Sequence, residues 1–194
     1  DQPLRLRVTP TTGSTMVCDL SEGCGDGVDF GDAMPVTDSD FNLEAVVPSA
    51  ANNQEANINL FTSMAAAIMA VNSADQNNLD AIRAAIQRAN SSVANRFGIT
   101  DDLFSIPVVD LTNEESVRAA LSGDSRAIQY AAMNAAIAQA ARADSQGDIF
   151  AALTAFRTRF TEEGIPGNTT TEGSTSLAEI LSAAQNILHR VRTL

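Results

Sequence analysis

The sequence predicts an α+β protein: a short N-terminal antiparallel β segment followed by an alanine-rich bundle of about six helices. Three observations predict it. Hydrophobic residues fill 44% of the 194 positions and charged ones only 19%, so the chain has the apolar content to bury a core. From Asp1 to Ala50, apolar and polar residues alternate in short runs between frequent Gly and Pro. Beyond residue 50 the spacing becomes helical, with alanine at many positions and capping residues between segments. The expected division is a β segment over 1–50 and an all-helical domain over 51–194.

"PLRLRVTP" places Leu4, Leu6 and Val8 on one face and Arg5 and Arg7 on the other, the period of a half-exposed strand. "STMVCDL" and "DFNLEAVVP" read as further strands, the second bringing Phe41, Leu43 and Ala45 together, and "GVDFGD" as a short fourth. Four short strands make only a partial immunoglobulin-like sandwich, since a full one has about seven. The first helix is expected from Gln54 to Val71 and the second from Asn77 to Phe97, with Gly98 as a left-handed stop. "GITDDLFSIPVVDL" follows as an irregular connection carrying enough apolar residues to pack inward. Thr112 and Glu115 have capping-box spacing and open a helix to Ser122, and Asp124 starts the next, through "QYAAMNAAIAQAARA". Asp148 to Glu163 forms another, with Phe150, Leu153, Phe156, Arg157 and Phe160 on a mixed face. After a polar loop from Gly164 to Gly173, Ser176 and Glu179 repeat the capping-box spacing before a last helix to Arg192. Alanine favours helix and lets helices approach closely, which suits a bundle core first and a subunit interface second.

Charge excludes several function classes. Acidic residues number 24 against 12 basic ones, all arginine, for a net charge of -12. A chain without a basic patch repels nucleic acid and anionic lipid, so neither is an expected partner. The longest apolar run, "INLFTSMAAAIMAV", has 14 residues including Asn, Thr and Ser. A membrane span needs roughly 20, so this run reads as a buried helix. The chain opens on Asp1-Gln2-Pro3 with no signal-peptide pattern, which reads as the start of a processed chain.

The chemistry-bearing residues are few. Cys18 and Cys24 enclose five residues, a spacing that fits neither a dithiol redox pair nor a zinc ligand pair, and no Cys or His cluster stands by to complete a metal site. A disulfide closing a small turn is the expected state, and it points to an oxidising compartment: extracellular, cell-surface or periplasmic. Asp19, Glu22, Asp26, Asp29 and Asp32 bring five carboxylates into fourteen residues among glycines. Solvated turn acids are the expected reading, and a calcium loop is the alternative, because calcium takes six to eight oxygens but this spacing lacks the EF-hand pattern. No other cofactor is expected. The lone His189 lies beside Arg190 and Arg192, where positive charge complements a helix C-terminus. There is no nucleophile elbow, no phosphate-binding lysine and no dinucleotide fingerprint. Asp101 with Asp102, Glu114 with Glu115 and Glu162 with Glu163 are adjacent pairs, which is not the cross-cleft geometry of glycoside hydrolysis. Of two glycosylation sequons, Asn90-Ser91-Ser92 falls inside an expected helix and Asn168-Thr169-Thr170 in a polar loop.

The order of "LRLRVTPTTGSTMVCD", "FNLEAVVP" and "NINLFTSMAAAIM", followed by "VANRFGI" and "DLFSIPVVDLT", resembles secreted or lipid-anchored surface proteins of Gram-negative bacteria. In these a carboxypeptidase-regulatory-like β module runs into an all-helical region. The resemblance implies extracellular placement and a non-catalytic role, and it carries over no functional residues. This chain lacks the first half of such a β module. The expected function is a structural or assembly module that associates with itself or with another surface protein, its incomplete sheet completed by a neighbour as in a polymer. Two alternatives remain: a monomeric surface module binding a cation, glycan or peptide, and, last, a carboxylate-dependent hydrolase.

Overall fold

A computed structural model describes residues 2–25, 27–50, 55–71, 78–144, 148–163 and 175–193. It is an α+β protein whose described residues form four strands, β1 (Leu4–Val8), β2 (Thr15–Val17), β3 (Ala33–Pro35) and β4 (Leu43–Val47). Among the described residues six helices follow: α1 (Leu60–Val71), α2 (Leu79–Arg96), α3 (Glu114–Ser122), α4 (Ser125–Asp144), α5 (Ile149–Glu163) and α6 (Leu177–Val191). The strands form two separate two-stranded antiparallel ladders, β1 with β4 and β2 with β3, rather than one sheet. The short fourth strand expected at "GVDFGD" is instead a turn with an isolated bridge, Gly25 to Val28, and the strand is Ala33–Pro35.

The chain divides into two compact units that cut across the boundary expected at residue 50. The first joins Asp1–Thr9 to Asn42–Pro107, and the second joins Pro10–Phe41 to Val108–Leu194. The cause is the β1 to β4 pairing, Leu4 opposite Val47 through Val8 opposite Leu43, which closes residues 10–41 into an insertion. Each unit therefore holds one ladder and its own helices.

In the first unit α1 packs on β4 and on α2, and Val46, Ala66 and Ile86 bury together with Met69 and Ile82 against them. The Phe61 and Phe97 rings meet at 5.1 Å. The helix α1 begins at Leu60, not Gln54, which lies outside the described residues. Asn59 explains the late start: its Oδ1 accepts from Thr62 N while its own N donates to Thr62 Oγ1, a reciprocal cap. Just before it, Asn57 donates its backbone N to Phe104 O and its side chain to Ile106 O, which holds that stretch out of the helix. The helix α2 is capped by Asn78 and ends as expected at Gly98, whose φ of +67° lets Ile99 N reach Ala94 O and Gly98 N reach Asn95 O. The connection that follows buries Ile99, Leu103 and Ile106.

In the second unit α4 packs on α3, α5 and α6. Its Ala132, Ala135, Ala136 and Ala141 are buried around Ile137, so the alanine-rich helix serves a core. The helix α6 turns Ile180, Ala183, Ala184, Ile187 and Val191 inward at helical spacing, and α5 does the same with Phe150, Leu153, Phe156 and Phe160. Ser176 and Glu179 form the expected capping box. The box expected of Thr112 and Glu115 does not form: Asn113 caps α3 by accepting from Ser116 N, and Thr112 bonds back to Asp110. Gly164 to Gly173 and the sequon at Asn168 lie outside the described residues.

Candidate functional site: a stapled loop and an open strand edge

The disulfide forms as expected, Cys18 to Cys24, with Cα atoms 5.8 Å apart. Around it the chain bonds to itself. Cys18 N donates to Asp32 O, Gly31 N to Cys18 O, and Cys24 N to Val28 O, so the β2 to β3 pairing runs on into the stapled turn. Two residues of α4 then fix the loop in place: Gln139 Oε1 accepts from both the N and Oγ of Ser21, and Arg142 donates to Gly23 O. Arg190 of α6 lies 5.8 Å over the Phe30 ring. The loop is thus anchored on two helices, a role that residues more than a hundred positions away supply and that spacing alone cannot reveal.

Four of the five acids of this stretch lie among the described residues, and they form no three-residue cluster. Asp26 lies outside the described residues. Asp32 accepts from Asp29 N and closes a turn, Glu22 is exposed, and Asp19 is half-buried between the fully buried Cys18 and Leu20. Burial, with a smaller push from the charge of Asp110, raises the Asp19 carboxyl to about 6. Among the described residues, no three His, Cys, Asp or Glu side chains gather closely enough to hold a metal ion.

The other candidates are scattered. Asp101 and Asp102 line a polar cleft of about 350 Å³ at the exit of α2, Glu114 pairs with Arg118, and the side chains of Glu162 and Glu163 are outside the description. His189 is exposed in an open groove with Glu22, Asn186 and Arg190. Asn90 is no glycan acceptor site in this fold, because it is buried and its Nδ2 donates to Val46 O. No helix of the described residues is long and apolar enough to cross a membrane.

The β1 to β4 ladder carries the feature that the alternation in "PLRLRVTP" pointed to without locating. Glu44 N donates to Ser63 Oγ of α1, which also lies 3.2 Å from Glu44 O, and Asn90 of α2 bonds Val46 O. The peptide groups of Glu44 and Val46 therefore face the helices, away from β1. Hydrogen bonding alternates along an antiparallel pair, so Arg7 and Arg5, opposite them, turn their own N–H and C=O to the outer side of β1. Ser63 and Asn90 satisfy the outer edge of β4 in place of a third strand. Among the described residues nothing does so for β1, whose residues are exposed apart from a half-buried Leu6, with Leu4 at 42% and Val8 at 55%.

The side chains on this strand are also arranged unexpectedly. Glu44 is buried, 7% exposed, and its two oxygens hold Arg5 at 2.6 Å and Arg7 at 3.0 Å. The arginine face of β1 is thus the helix-facing side, and Leu4, Leu6 and Val8 lie on the other. Beneath the N-terminal end of β1 runs a mainly apolar groove of about 450 Å³, lined by Arg5, Val46, Met69, Ile82 and Ile86 among others. No protein-family model, no curated protein and no solved structure matches this chain.

Proposed function

We propose that the protein is a non-catalytic extracellular assembly module that joins a neighbour by strand addition along β1. The observation that carries this reading is the asymmetry of the first ladder: the β4 edge is capped by Ser63 and Asn90, while among the described residues nothing caps the exposed β1 edge at Arg5 and Arg7. An exposed edge is a template for another strand, and folded proteins ordinarily cover or blunt it. The disulfide supports an oxidising location, since such bonds persist outside the reducing cytosol.

The test uses the position of the outward N–H groups. Proline at Arg5 removes an outward donor and no bond of the β1 to β4 ladder, so Arg5→Pro closes the edge and keeps the fold. Arg5→Ala removes the same guanidinium and keeps the edge open. Sedimentation velocity from micromolar to millimolar protein is expected to show larger species for the wild type and for Arg5→Ala, and only monomer for Arg5→Pro. Wild-type protein that stays monomeric throughout that range refutes self-assembly through this edge.

A further inference from the structure

On that reading, the chemistry of the β1 edge also restricts the strand that joins it. Side chains of an added strand opposite Arg5 and Arg7 fall on the helix-facing side, two residues apart on one face. Arg5 itself lines the apolar groove of Val46, Met69, Ile82 and Ile86, so an apolar side chain beside it extends that groove. The position opposite Arg7 meets a guanidinium that shares a single carboxylate, Glu44, with Arg5, so the pair keeps one uncompensated positive charge. The edge therefore asks for an apolar side chain and a carboxylate separated by one residue.

The chain itself carries such a segment on its surface. Val108 is 75% exposed, the most exposed of its large hydrophobic residues among those described; Val109 turns inward, and Asp110 is exposed again. The alternation is that of a strand, yet Pro107 to Asp110 belongs to no ladder. The Asp110 peptide groups are engaged, its N–H donating to Ser116 Oγ and its C=O accepting from Asn113 N, and Oδ1 accepts from Thr112, while the second carboxylate oxygen has no bond among those described. Copies that each carry a net charge of -12 repel one another, so a contact between them must bring opposite charges together locally. Arg7 against Asp110 does so.

We infer that the occupant of the β1 edge is a second copy of this chain, which adds its Pro107–Asp110 segment parallel to β1, with Val108 in the groove beside Arg5 and Asp110 against Arg7, so that the engaged peptide groups of Asp110 point away from β1. Because the acceptor and the donor are different surfaces, the contact is heterologous and repeats head to tail, as an open polymer or a closed ring.

Two single variants and their mixture test this. Arg5→Pro retains the donor and loses the acceptor. Val108→Lys retains the acceptor and sets a cation against Arg5; at so exposed a position it leaves the core intact, which matching circular dichroism melts check. Each variant alone is expected to sediment as a monomer, and an equimolar mixture as a 1:1 dimer that grows no further. Assembly lost in Arg5→Pro but retained in Val108→Lys overturns the assigned donor and leaves strand addition standing. Assembly retained in Arg5→Pro, or absent from the wild type, overturns both.

Discussion

Replacing Asp19 with Asn tests how the stapled loop is balanced. In the folded protein the Asp19 carboxyl is raised from 3.8 to about 6, chiefly because burial strips water from the charged form and secondarily because Asp110 repels it. A raised carboxylate pKa means that the folded state binds the proton more tightly than the unfolded one. Below pH 3.8 both states are protonated and the residue is neutral toward stability. As pH rises through the interval up to about 6, the folded protein gives up its proton later, and stability falls across that window. Above it the cost is constant. The two limits differ by about two units, or about 3 kcal/mol at 1.36 kcal/mol per unit, and the solvent that still reaches this half-buried residue reduces that to about 1–3 kcal/mol. Asn is nearly isosteric and carries no charge. Urea denaturation under non-reducing conditions is therefore expected to find Asp19→Asn more stable than wild type above pH 6, by that amount, with the gap closing as pH falls toward 4. A variant that is no more stable at neutral pH, or whose difference from wild type does not change with pH, refutes the account.

Other perturbations have separate readouts. Cys18→Ser with Cys24→Ser opens a loop of six-residue separation, and the chain-entropy cost of so small a loop predicts a loss of about 2 kcal/mol in denaturant melts. Glu44→Ala leaves Arg5 and Arg7 side by side without their shared carboxylate, and since both arginines are half in water the expected loss is about 1–2 kcal/mol, measurable as a fall in the thermal midpoint that added salt partly restores. Gly23→Ala combines a φ of +79° with a Cβ that would lie 2.6 Å from Val28 O, whereas Gly13→Ala has a similar φ but open space. Chemical denaturation should show the Gly23 variant losing more than the about 1 kcal/mol expected of Gly13→Ala.

What the sequence reveals here depends on the range of the cause. Caps and stops that act over a few residues are legible: Gly98 closing α2, Asp124 and Asp148 opening helices, Ser176 with Glu179 heading α6. The nearby disulfide is legible for the same reason. Two helix starts failed because rival capping residues sat nearby, one position away for α3 and five for α1. Asn113, with a better capping side chain than Thr112, takes the start of α3, and Asn59 takes that of α1. "GVDFGD" imitates strand alternation, but Gly27 and Gly31 have φ of +74° and +95°, a conformation that breaks a ladder, while three-residue Ala33–Pro35 is too short to show a period. The division into units was not legible at all, because it turns on β1 finding β4 across 39 positions. The alternation in "PLRLRVTP" shows that two faces exist. Only the buried Glu44 decides which of them meets the helices.

Arg5 and Arg7 bear on one remaining question about β1, because charges on an edge strand are a common means of preventing pairing. That explanation fits a guard that faces solvent and stays solvated. These two stay about half in water but are tied to one buried carboxylate, and the opposite face of the same strand exposes Leu4 and Val8. A strand built to repel neighbours gains nothing from exposed leucine and valine, whose burial in a contact contributes about 25 cal/mol for each Å² removed from water. An edge that attracts one partner and rejects others uses both features: apolar area for affinity, and paired arginines that only a carboxylate at the right position satisfies. For the proposed assembly, the same reasoning predicts that Glu44→Ala, by freeing both guanidinium groups, raises the salt sensitivity of association more than it lowers association at low salt.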